Sequence, residues 1–215
     1  MRARSSSVAS TSGVSSSSSA GRPEASATRS RTVENHSSIT GILLLGGASS
    51  RFGSPKALAP WGDRTLAERG WDALAWSDER LALGKDDDLG LPFPVEVDGF
   101  DVRAPIAGVV AGLRRAANDV CVFLPVDCPL VGESALRALA AACLDAAVPQ
   151  TGPLPGAYRR SALNVLETRL RAGELALRDA LLELETAVVE LEPDALANVN
   201  TPDELAALST PHGSA

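Results

Sequence analysis

From Ile39 onward, short apolar runs alternate with longer stretches of helical periodicity, and no other feature limits the available folds as much. Residues 39–45, apolar but for Thr40, and Val120-Cys121-Val122-Phe123-Leu124, apolar throughout, read as strands covered on both faces. Repeated strand-then-helix order implies an α/β protein with a mostly parallel sheet. The periodicity predicts helices over residues 64–76, with Leu66, Trp71 and Leu74 inward, and over 106–117, 161–171 and 175–184. Further strands are expected near 80–83, 94–97, 119–126, 147–150 and 187–191. After residues 119–126 comes Asp127, then Leu136, Leu139, Ala140, Cys143 and Leu144 at the spacing of one helix face. In open α/β sheets ligands sit at the carboxyl ends of the strands, so an acid there is a candidate site residue. Thr201-Pro202-Asp203-Glu204 has the form of a capping box opening a last helix.

Composition divides the chain unevenly. Residues 1–38 hold 14 Ser, five Arg and two Glu, a net +3, so the remainder carries −10 of the total charge of −7. That segment has too little apolar content to offset the entropy of ordering and is expected to be a disordered tail. Its composition is shared by organellar transit peptides and by plain extensions. The body is expected to be one domain over residues 39–208, followed by a short tail at 209–215. An acidic balance with 4% aromatic residues argues against a nucleic-acid partner. No secretory signal and no membrane-spanning run is found. Cys121, Cys128 and Cys143 cannot all pair and match no zinc spacing, which fits a reducing cytoplasm.

The segment from Leu44 to Leu58 carries the chemistry. A strand ends in Leu44-Leu45-Gly46-Gly47, and the small-residue loop that follows delivers Arg51 and Lys56. Glycines let backbone N–H groups approach a ligand closely, and an Arg and a Lys beside them suit a polyphosphate. The pattern is neither a P-loop nor a dinucleotide fingerprint. Taken alone, Arg51 and Lys56 are also compatible with solvated loop cations, Asp127 with a turn or helix cap, and Asn198 and Asn200 with a lead into the last helix.

The loop resembles that of the molybdenum cofactor guanylyltransferases, MobA-like nucleotidyltransferases of a Rossmann-like, three-layer, glycosyltransferase-A type fold. The resemblance runs from about Ile39 to Leu208. It rests on four collinear places: the Gly-Gly loop with Arg51 and Lys56; Val95-Glu96-Val97-Asp98 with Ala104-Pro105-Ile106-Ala107-Gly108; Leu124-Pro125-Val126-Asp127-Cys128-Pro129; and Asn198-Val199-Asn200-Thr201-Pro202. It implies transfer of GMP from GTP to molybdopterin bearing molybdenum, releasing pyrophosphate and forming molybdopterin guanine dinucleotide, with Mg²⁺ as cofactor. Leu44, Leu45, Gly46, Gly47 and Lys56 would bind the nucleotide and Arg51 its phosphates. Asp98 would contact the guanosine portion, and Asp127 would bind Mg²⁺ and the triphosphate. Arg51, Lys56 and Asp127 would thus form the catalytic set, with Asn198, Asn200, Tyr158 and Arg159 near the pterin. Molybdenum-insertion proteins or chaperones of the receiving enzymes are the implied protein partners.

The chain departs from the family pattern in three places. Leu45 replaces a small Ala, Ala104 replaces a Gly, and the family's asparagine after the second strand has no counterpart in the acidic stretch around Lys85. A cytidylyltransferase for the same pterin, a guanylyltransferase for phospholactate or cobinamide phosphate, and a non-catalytic nucleotide-binding module are the competing readings. The Asn198-to-Pro202 segment favours the guanylyl branch, since the cytidylyl branch usually carries Asp there.

Overall fold

The computed structural model describes residues 38–46 and 55–209. Its centre is a seven-stranded sheet built on β1 (Ile39–Leu44), which pairs in parallel with β4 (Glu79–Gly84) on one side and β6 (Val120–Pro125) on the other. Beyond β4 lies β5 (Glu96–Val97), also parallel. Beyond β6 the sheet continues through β8 (Gly156–Arg159), antiparallel to its neighbours, then β7 (Ala146–Pro149) and, parallel to β7, β9 (Thr186–Val189). A two-residue-per-strand ribbon, β2 (Pro60–Trp61) with β3 (Arg64–Thr65), stands apart from it. The α/β class with a mostly parallel sheet is as the sequence implies.

Consecutive apolar residues in β1 serve opposite faces. Leu43 joins the core containing α1 (Leu66–Ala73), α3 (Glu133–Ala142) and α6 (Pro202–Ser209), whereas Ile42 and Leu44 join the core with α2 (Pro105–Arg115), α4 (Leu163–Ala172) and α5 (Leu177–Ala180). The strand therefore reads as continuous apolar sequence from Ile42 on, because successive side chains point into two layers of helices.

Local chemistry trims several expected elements. α1 begins at Leu66 because Thr65 and Glu68 form a reciprocal capping box, with Thr65 Oγ1 accepting the Glu68 N–H at 3.1 Å and Glu68 Oε2 accepting the Thr65 N–H at 2.8 Å. In α3, Leu136 and Leu139 are buried as expected, but the helix ends before Cys143, and Leu144 is exposed instead of lying on the helix face. The 175–184 helix shrinks to α5 followed by a 3₁₀ turn over Leu181–Glu183. Among the described residues no helix is long and apolar enough to cross a membrane.

α2 lies close on the sheet through Gly112, where an added Cβ would come within 2.5 Å of Phe123 Cε1 and 2.8 Å of Ile42 Cδ1. Gly112→Ala is expected to lower stability by about 1–3 kcal/mol despite the better helix propensity of Ala, as read from the urea midpoint.

Candidate active site

The carboxyl ends of β1, β4, β5 and β6 open into a cavity of about 670 Å³, a volume suited to a small-molecule ligand. Backbone hydrogen bonds stitch its floor: Leu45 N–H to Leu83 O at 2.9 Å, Val126 N–H to Leu44 O at 2.9 Å, and Asp98 N–H to Gly84 O at 2.9 Å. The chain leaves β1 through Gly46 at φ +82°, a conformation that disfavours any side chain. Leu44, Leu45 and Gly46 line this cavity, as expected of a ligand-facing strand end. Gly47 and Arg51 lie outside the described residues.

One charged pole stands at the end of β6. Asp127 follows this strand, and its carboxylate lies 3.5 Å from Lys56 Nζ. The Lys56 ammonium, whose side chain is only 14% exposed, also donates to Val199 O at 2.7 Å, while the Val199 N–H donates to Asp127 O at 2.8 Å. Residues 198–200 are thereby tied to both. Cys128 Sγ donates to Asn198 Oδ1 at 2.9 Å. Burial, and next the Asp127 charge, push the Cys128 thiol up, so it stays protonated and serves as a donor. The Asn200 N–H donates to Glu204 Oε2 at 2.6 Å, and Thr201 Oγ1 accepts the Glu204 N–H at 3.2 Å. The expected cap of α6 thus forms, with its Glu arm reaching one residue further back than a capping box requires.

The second pole stands beyond β4 and β5. Asp98 is buried and paired with Lys85 at 2.8 Å, and its Oδ1 accepts the Phe100 N–H at 3.0 Å. Lys85 also donates to Phe100 O at 2.5 Å and Val102 O at 2.7 Å. A half-buried cation held by oxygens of three residues, Asp98, Phe100 and Val102, therefore stands just after β4, where the family's asparagine was missed. Lys85, Arg103 and Leu154 also line the cavity; Lys85 and Arg103 were not expected there, and a lone Lys directly after an apolar strand was the available signal for the first.

Asn198 and Asn200 are exposed to the cavity, but the other two pterin candidates need correction. Tyr158 is fully buried in β8, edge-on to Phe123 at 5.7 Å, and its hydroxyl donates to Pro153 O at 2.7 Å. Burial pushes the phenol up, and no part of it faces the cavity. Arg159 pairs with Asp119 at 2.8 Å and donates to Cys143 O at 3.3 Å, away from the cavity lining. Strand β8 explains both: Tyr158 is buried in the core, and Arg159 sits opposite Val120, at the end of β6 away from the cavity.

Removing one partner of the Lys85–Asp98 pair leaves a buried charge. Lys85→Met is expected to cost about 3 kcal/mol, most of it recovered when Asp98→Asn is added, as measured by denaturant titration of both variants.

The family model described as "MobA-like NTP transferase domain" matches residues 41–188. A probable molybdenum cofactor guanylyltransferase of Deinococcus radiodurans is 36% identical over 80% of this chain and 94% of its own length. A relative of the same name in Bacillus licheniformis is 30% identical over 76% of this chain and 93% of its own. Among solved structures, molybdopterin-guanine dinucleotide biosynthesis protein A from Archaeoglobus fulgidus superposes with a TM-score of 0.68 at 23% identity, over 79% of this chain and 96% of its own. At that identity the likeness speaks for the fold. With the family model covering most of the described sheet and site, the chain belongs to the MobA-like NTP transferase domain family, among the molybdenum cofactor guanylyltransferases.

Proposed function

We propose that the protein transfers GMP from GTP to molybdopterin bearing molybdenum, releasing pyrophosphate and leaving molybdopterin guanine dinucleotide. The observation that carries this reading is the Lys56–Asp127 pair, bonded to the 198–200 loop at the mouth of β1 and β6, in a chain of this family. The terminal phosphate of the pterin attacks the α-phosphorus of GTP in line, the bond to the bridging oxygen breaks, and pyrophosphate leaves. The attacking phosphate is already anionic, so the reaction needs no strong general base. It needs two polyanions held together and charge neutralised as the bond breaks.

This chain's residues fit that task. Lys56 brings an ammonium to the phosphates, and the backbone at Gly46 allows close approach. Arg51 is assigned the same phosphates. Asn198 and Asn200 offer neutral donors toward the acceptor. Asp127 is the carboxylate of this pole, its side chain 33% exposed. Mg²⁺ is characteristically held by one or two carboxylates together with water and substrate phosphates, so a single open carboxylate fits it. Bound by Asp127, Mg²⁺ would supply Lewis-acid neutralisation of charge on the phosphates. Positioning contributes up to ~7–11 kcal/mol of barrier lowering, and loss of one preorganised donor costs ~10²–10³ in rate. The three free cysteines fit a cytoplasmic setting, where insertion proteins or chaperones of the molybdenum enzymes would receive the product.

Incubation with GTP, Mg²⁺ and molybdenum-loaded molybdopterin is expected to release pyrophosphate, and its absence beside an active control enzyme would reject the function. Asp127→Ala is expected to abolish measurable turnover, and Lys56→Ala to lower kcat/KM for GTP by about 10² or more. Chelation of the metal should weaken GTP binding, because the −10 body otherwise repels the nucleotide. Deletion of residues 1–38 should leave turnover unchanged.

A further inference from the structure

We propose that Arg103 reads the guanine base, donating its planar pair of N–H groups to the O6 and N7 edge. The inference rests on the guanylyl-transfer reading and names the residue that gives it base specificity. Charge accounting leads to Arg103 first. Five charged side chains line the described cavity: Lys56, Lys85, Asp98, Arg103 and Asp127. Lys56 is paired with Asp127 and Lys85 with Asp98, so the two poles are each close to neutral. Arg103 is exposed on the rim and makes no hydrogen bond or ion pair among the described residues, leaving its donors for a ligand.

Position comes second. The first pole follows β6, and the second follows β4 and β5, with β1 between them. Adjacent strands lie ~4.8 Å apart, which separates the poles by on the order of 10 Å. A nucleotide whose triphosphate lies against Lys56 and Asp127 directs its base toward the second pole. Leu45, Gly84, Ala104, Pro105 and Gly108 give that end apolar, low-relief walls suited to a flat ring. Arg103 is held at its edge from both sides. Lys85 clamps the carbonyls of Phe100 and Val102 just before it, and α2 begins at Pro105 just after it.

Chemistry comes third. Asp98, the expected guanosine contact, has its oxygens engaged by Lys85 and the Phe100 N–H, so it acts as a positioning residue for the loop that carries Arg103. A guanidinium is a permanently charged donor fork with no acceptor. Guanine presents two adjacent acceptors, O6 and N7, whereas adenine sets a donor beside N7. The fork therefore matches guanine and mismatches adenine.

The test is calorimetric binding of GTP, 7-deaza-GTP and ATP, each with Mg²⁺, to wild type, Arg103→Ala and Arg103→Lys. Wild type is expected to prefer GTP over 7-deaza-GTP and over ATP by roughly tenfold or more. Both variants should lose that preference, Arg103→Lys included, because an ammonium keeps the charge but not the fork. Unfolding midpoints should match wild type, since Arg103 is exposed and makes no hydrogen bond or ion pair among the described residues. An equal loss for all three nucleotides in Arg103→Ala, restored by Arg103→Lys, would mean that Arg103 serves only as a charge and would overturn the proposal. So would unchanged GTP affinity in Arg103→Ala, or a changed KM for the pterin alone. If wild type binds none of the three, or binds CTP titrated alongside them more tightly than GTP, the guanylyl-transfer reading itself fails, a result separable from failure of the base assignment.

Discussion

The Lys56 ammonium reaches across 143 residues of sequence to the carbonyl of Val199, and most of the site depends on that contact. A side chain so nearly buried must have its charge compensated, and Asp127 at 3.5 Å supplies the compensation. The Val199 N–H returns to the Asp127 backbone, closing a ring that joins the end of β6, the segment after the glycine loop and the approach to α6. The cation that would meet the phosphates also fastens the loop that would meet the acceptor. An arriving triphosphate would compete with Val199 for the same ammonium, which couples occupancy of the nucleotide side to the placement of Asn198 and Asn200.

Bulk charge alone would mislead about the ligand. The body carries −10, which taken alone disfavours an anion. Exposed charges more than a Debye length apart are largely screened, however, and it is the lining that sets the local field. In the described lining, each carboxylate is answered by a lysine, and Arg103 adds a positive charge. An acidic protein can therefore present a cavity that is not acidic.

The parts legible in the sequence were those where one constraint dominates. β1 and β6 were readable because burial on both faces makes nearly every position apolar, and Asp127 stood out because it follows such a strand at its carboxyl end, where α/β sheets bind ligands. Lys85 was obscured by the three aspartates that follow it, and its purpose appears only when Asp98, 13 residues on, is brought beside it. The Pro60–Thr65 ribbon is too short to show a period. β8 was hidden for a different reason. Gly156-Ala157-Tyr158-Arg159 follows prolines and has small residues where strands usually carry branched ones, so nothing local marks it as a strand.

That hidden strand changes how the Leu154 side of the cavity is built. Tyr158 pairs across from Cys121 in β6, fills the core against Phe123, and reaches out to the carbonyl of Pro153. Pro153 immediately precedes Leu154, which lines the cavity. Gln150 fixes the other end of the same turn, donating to Leu191 O at 2.6 Å and accepting the Leu191 N–H at 3.1 Å. The 150–155 segment is thus pinned from behind at two points while one apolar side chain faces the cavity. Tyr158 holds the wall in place from the core side, and a buried phenol suits that task because its single hydroxyl is satisfied by the carbonyl it anchors. Packing thus turns Tyr158 into the core and leaves Leu154 of the same stretch at the cavity.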